Sequence, residues 1–113
     1  MNVEVTLVSY LSECFPDISV GADLPNPRPE KAITLERTGG PENKIVLDHP
    51  TIAIQCWAKT RADALLLADE VDKAMRSMDD PEIPDVQRSG KYNFPDEYGN
   101  PRYQLVYNLI TYI

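Results

Sequence analysis

Histidine is almost missing from this chain: His49 is the only one in 113 residues. Imidazole is the commonest general base, so mechanisms that pair a serine or cysteine nucleophile with histidine have a single residue to draw on. That residue stands before Pro50, between two apolar runs, which is the setting of a solvated turn residue rather than a catalyst. Cysteine is scarce as well. Cys14 lies in a helical pattern and Cys56 in a strand pattern, so there is no disulfide framework, and both read as buried thiols. Neither falls at a helix N-terminus, where a thiol becomes nucleophilic. Basic residues are outnumbered, with 11 Lys and Arg against 18 Asp and Glu and a net charge of −7. A nucleic-acid face needs clustered cations to displace counterions, so no specific nucleic-acid binding is expected. No apolar run approaches the roughly 18 residues of a membrane-spanning helix. The start Met1-Asn2-Val3-Glu4-Val5 lacks the basic opening of a secretory signal, so a cytoplasmic product is expected.

What is present suits one folded domain over residues 1–113: 42% apolar and 26% charged residues are ordinary globular values. Val3, Leu7, Tyr10, Leu11 and Cys14 recur at helical spacing and predict a helix that stops near Phe15-Pro16. After the short apolar piece Ile18 to Val20, Pro25, Pro27 and Pro29 make Gly21 to Pro29 an extended connector. Lys31 to Thr38 alternates as a strand, and Gly39-Gly40-Pro41-Glu42-Asn43 predicts a hairpin turn into Ile45-Val46-Leu47. Thr51 to Ala58 continues as a strand. The buried parity changes between Leu47 and Ile52, which predicts a bulge or bend at His49-Pro50. Thr60 caps a helix through Met78 whose stripe is Ala64, Leu67, Ala68, Val71, Ala74, Met75 and Met78. Leu66 falls on its polar side, among Asp69, Glu70 and Lys73. A loop over Asp79 to Pro84 precedes a strand over Val86 to Tyr92. The expected fold is α+β: a mainly antiparallel sheet of about four to five strands packed by two helices, in the order α-β-β-β-α-β-β.

Two short motifs give no chemistry. Asp79, Asp80, Glu82 and Asp85 lack the alternating spacing and central glycine of a calcium loop and read as solvated charge. Gly39-Gly40 is not followed by Lys-Ser/Thr at phosphate-loop spacing and opens no helix. No catalytic, metal-binding or cofactor-binding residue is assigned.

The final segment carries the information. A loop, Phe94-Pro95-Asp96-Glu97-Tyr98-Gly99-Asn100-Pro101-Arg102, leads into an alternating strand from Tyr103 to Ile113. The odd positions of that strand are nearly all apolar and the even ones only partly polar, so both faces need cover. Arg102 sits between Tyr98 and Tyr103, and Arg and Tyr are enriched in interface hot spots. Tyr92, Phe94, Tyr98, Arg102 and Tyr103, with Leu66, form a candidate subunit contact; the competing reading is a loop pinned by its own aromatics.

This loop signature, the alternating final strand and the order of elements resemble the tail terminator and head-tail joining proteins of long-tailed bacteriophages and prophages, over essentially the whole chain. The Pro25 to Pro29 connector departs from the family pattern. The resemblance implies a small structural subunit without enzymatic activity that forms a ring, expected to be a hexamer, on the head-proximal end of the tail tube. Such a ring stops tube growth and docks the head connector or head-completion proteins. Its implied location is the head-tail junction of the virion, and the host cytoplasm during assembly. Two other readings stand beside it: a small-molecule binding or regulatory module, and an acidic decoy that blocks a host factor.

Overall fold

The computed structural model describes residues 2–40 and 47–112. Helix α1 spans Val3–Cys14; Asn2 caps it by accepting the Val5 N–H at 3.2 Å, and Phe15 closes it with an N–H to the Leu11 carbonyl at 2.9 Å, just before Pro16 blocks continuation. Strand β1, Ser19–Gly21, is followed by the irregular proline-rich connector, which includes a cis Asn26–Pro27 bond. Then come β2 (Ala32–Gly39), β3 (Leu47–Asp48), β4 (Thr51–Trp57), α2 (Arg61–Arg76), β5 (Asp85–Asn93) and β6 (Arg102–Tyr112). Thr60 caps α2 by accepting the Asp63 N–H.

The architecture is α+β, with one mixed sheet and both helices on one face. β2, β4, β6 and β5 pair antiparallel in that spatial order, while β1 lies parallel on the far side of β2. This parallel β1 adds a strand to the expected order. Three residues ending in glycine are too short to show a period of two, which is why Ile18 to Val20 read only as an apolar piece. The β2 hairpin partner also differs. β2 pairs with β4, and Leu47 and Asp48 pair with Tyr112 and Thr111 of β6. The predicted turn residues 41–43 and the apolar Ile45-Val46 lie outside the described residues.

No bulge occurs at His49-Pro50. Leu47 opposes Tyr112, Asp48 opposes Thr111 and Thr51 opposes Asn108, so β3 and β4 share one register along β6 with no residue inserted. His49 is half-buried and Pro50 buried, and the Pro50 carbonyl accepts the Leu109 N–H at 3.0 Å. Proline lacks a donor but keeps its acceptor, so the ladder continues through it. The irregularities sit elsewhere, between Arg37 and Gly39 and between Arg88 and Gly90. Gly40 folds back over His49 with φ +102, and a Cβ there would lie 2.0 Å from the His49 carbonyl oxygen, so glycine is required.

Core packing follows the two periodicities. Val3, Leu7 and Leu11 of α1 and Ala64, Leu67, Val71 and Met75 of α2 meet Ile33 and Leu35, Ile52, Ile54 and Cys56, and Leu105, Tyr107 and Leu109 in one cluster. The odd face of β6 is buried from Tyr103 to Thr111. Each fully buried Leu or Ile contributes about 1.5–3 kcal/mol. At the rim, Asp72 of α2 ties the helix to the last two strands. It accepts the Tyr107 hydroxyl at 2.6 Å, Arg88 at 2.9 Å and Arg76 at 3.0 Å. Lys91 of β5 pairs with Asp69 on the same helix. The β5–β6 hairpin, and the loop at its tip, are thereby fixed to the body of the domain.

Candidate interaction surface

Sheet residues that alternate away from the helices form an outer face. Directly opposed positions in four strands line up there as Thr34, Gln55, Gln104 and Tyr92. Their side chains form a directional chain. The Trp57 indole N–H donates to the Thr34 hydroxyl at 3.0 Å, Thr34 donates to Gln55 at 3.0 Å, Gln55 to Gln104 at 2.9 Å, and Gln104 to the Tyr92 hydroxyl at 2.6 Å. Each link polarises the next, and the ladder satisfies a row of amides without any formal charge. A second rung joins the Thr51 hydroxyl to Asn108 at 3.0 Å. The next row runs from the exposed Glu36 through Ala53 and Val106 to Gly90.

Beyond the ladder, Trp57 is 7% exposed although no helix covers it. Two guanidinium groups do so instead: Arg28 from the connector at 5.4 Å and Arg102 at 4.8 Å from the indole centroid. Arg102 also lies 4.7 Å from the Phe94 ring and donates from Nε to the Phe94 carbonyl at 2.7 Å. Arg28 donates to the Ala58 carbonyl at 2.8 Å. A planar guanidinium suits this sandwich, whereas an ammonium would not stack between two rings.

The loop after Phe94 is organised around one carboxylate. Asp96 accepts the Tyr98 N–H at 3.0 Å, the Asn100 N–H at 2.8 Å and the Asn100 side-chain amide at 2.7 Å. Gly99 takes the left-handed conformation, φ +79, that closes the turn. Foremost the Asn100 amide, and then the backbone N–H groups of Asn100 and Tyr98 and the charge of Arg102, hold the Asp96 carboxyl below its usual range. The outcome is a fixed loop with Tyr98 at its tip, 83% exposed.

The residues singled out in the sequence therefore separate into roles. Tyr98 stands free, and Tyr92 and Phe94 are partly exposed and meet edge to face at 5.8 Å. Arg102 is engaged by its own chain, which is the loop-pinning alternative. Tyr103 faces the core at 8% exposure and offers nothing outward. Leu66 is 61% exposed on α2, beside the less exposed Leu65, away from this cluster. Cys14 is exposed, contrary to expectation, because the last turn of α1 presents it past the buried stripe of Val3, Leu7 and Leu11; Cys56 is buried. Asp79, Asp80, Glu82 and Asp85 do not converge, and among the described residues no group of three or more His, Cys, Asp or Glu side chains could hold a metal ion.

Sequence reasoning missed Trp57, Arg28 and the Thr34-Gln55-Gln104 ladder. The lone tryptophan at a strand end was a visible signal, but the ladder depends on registers that pair residues far apart in the chain. No protein-family model matches the chain, and no curated protein matches it.

Proposed function

We propose that this protein is a structural subunit that associates with copies of itself into a ring, and that the ring caps the head-proximal end of a phage tail tube and joins tail to head. The observation that carries the reading is the braced loop over residues 94–102, which fixes the backbone that presents the exposed Tyr98. Ordering a loop costs free energy on association, and this loop is ordered in advance by Asp96 and Arg102. The outer sheet face supports the same reading, because the row of Thr34, Gln55, Gln104 and Tyr92 carries no charged side chain in a chain of net charge −7. Depletion of charge distinguishes the core of a protein interface from the rest of a surface. An acidic ring also leaves a passing nucleic acid unbound.

Mixing the purified protein with tail-tube subunits and following length by electron microscopy tests the reading. Tubes of limited length ending in a ring are expected. Uncapped growth at every protein ratio, with the protein staying monomeric, would end it. Tail-tube and tape-measure genes beside its own gene are the corresponding expectation at the level of the genome.

A further inference from the structure

The first turns of α1 and the end of β1 enclose an open groove of about 460 Å³, floored by Val5, Val8, Gly21 and Ala22 with Asn2 and Glu4 at the rim. Val5 is 63% exposed there, and a Cβ built on Gly21 meets nothing within 4 Å. We propose that this groove seats the Tyr98 loop tip of the next copy of the same chain; the inference rests on the ring reading and names the surfaces that would form the ring.

Three observations select this occupant. The first is chemical fit. A tyrosine brings an apolar ring that buries about 150–250 Å² and a hydroxyl that needs an acceptor, and the groove offers an apolar floor with the Glu4 carboxylate at its edge. The second is placement. β1 and the β5–β6 hairpin are the two lateral margins of the sheet, with β2 and β4 between β1 and β6. From β1 to β5 is four steps of about 4.8 Å, roughly 19 Å. The loop is held by Asp96 and Arg102, so the knob cannot fold back across that width into its own groove. A knob on one margin and a socket on the other make a head-to-tail contact, which gives a ring where the rotation between successive copies closes and a filament where it does not. The third is the condition of the edges. β1 is three residues long, and β5 carries an extra residue at Ser89 and directs Lys91 towards Asp69 of α2. Short edges, bulges and inward charges oppose strand-to-strand pairing, which leaves side chains and loops to make the contact.

Cross-linking tests it directly. In a Cys14→Ser background, Glu97→Cys and Ser9→Cys proteins, which keep Tyr98 and Val5 and place the thiols beside the tip and on the groove lining, are mixed at high concentration under mild oxidation. Disulfide-linked heterodimers are expected, with few Glu97→Cys homodimers; equal knob-to-knob linkage, or none between the two variants, would overturn the proposal. Association is then followed by light scattering and by electron microscopy of tube ends. Tyr98→Ala and Val5→Asp should each weaken assembly about 30-fold, the effect of losing a hot-spot side chain. Mixed together they should pair once and stop, since a single intact knob and a single intact groove remain. Rings that form normally from Tyr98→Ala refute the knob while leaving the ring reading in place, whereas a wild-type protein that never exceeds a monomer, even with tube subunits, refutes the ring itself.

Discussion

Replacing Arg102 with alanine should destabilise the monomer by about 2 kcal/mol while leaving it folded. The magnitude comes from three contacts. The Nε hydrogen bond to the Phe94 carbonyl, 2.7 Å long and partly exposed, is worth about 1 kcal/mol. The stacks on Trp57 at 4.8 Å and Phe94 at 4.7 Å each add about 0.5–1 kcal/mol. Part of this returns through side-chain entropy released when a long side chain is removed. For a domain of this size, 2 kcal/mol corresponds to a Tm lowered by about 8 °C.

The protein contains its own reporter, because Trp57 is the only tryptophan and Arg102 covers one side of its ring. Thermal melts followed by tryptophan emission should show the lower Tm together with a red-shifted native baseline, as water reaches the uncovered indole. Arg102→Lys should recover no more than about half of the loss, since an ammonium reproduces the charge but not the planar stack. Tyr98→Ala provides the contrast: with 83% of the side chain in solvent, its removal should change monomer stability by less than about 0.5 kcal/mol. If Arg102→Ala instead melts like the wild type, with unchanged emission, the bracing role is wrong and the guanidinium is held in reserve for a partner.

Three further outcomes are expected. Asp72→Ala should cost about 3–5 kcal/mol in urea unfolding, because it strands the Tyr107 hydroxyl and the Arg88 guanidinium at the rim of the core; adding Tyr107→Phe should then cost little more, and full additivity would refute the shared network. Asp96 has a lowered folded-state pKa, so its contribution is present above the ordinary Asp value of about 3.9 and is lost as pH falls through the folded value; the Tyr98 and Asn100 amide signals should hold from pH 7 to 5 and collapse only in more acidic solution. Asp96→Asn should abolish that loop transition while leaving the acid response of the Asp48–Arg37 pair, which titrates in the same direction. Finally, a thiol reagent should label Cys14 rapidly and Cys56 only in denaturant, because burial excludes the reagent from Cys56 and pushes its thiol pKa up; two fast thiols would contradict the buried position of β4.

The long elements were legible because each has a clean period. The α2 stripe from Ala64 to Met75 and the buried odd face of β6 follow from spacing alone. The pairing partners were not, because local sequence says which residues form strands and little about which strands meet. Gly39-Gly40 suggested that β2 would turn straight into its neighbour, yet β2 pairs with β4 across the intervening segment. The parity change near His49 suggested an inserted residue, whereas register along β6 is constant and half-burial of Leu47 replaces a strict in-out alternation. Arg102 illustrates the same limit at the level of a side chain. Its aromatic neighbours in sequence were visible, but Trp57, its closest stacking partner with Phe94, lies 45 residues earlier and reaches it only through the pairing of β4 with β6.

That pairing also explains why the loop and the sheet belong to one device. Trp57 opposes Arg102, Gln55 opposes Gln104, and Tyr92 opposes Gln104 from the other side, so the aromatic clamp and the amide ladder occupy successive rows of the same three strands. Asp72 and Asp69 then anchor the hairpin to α2 from the opposite face. A displacement of the loop would therefore have to break the Phe94 contact, the Trp57 stack or the Asp72 knot, each internal to the subunit. Tyr98 is the aromatic residue of the loop that none of these contacts employs. Substitutions at Arg102, Asp72 or Asp96 should consequently alter the monomer and assembly together, while substitution at Tyr98 should alter assembly alone.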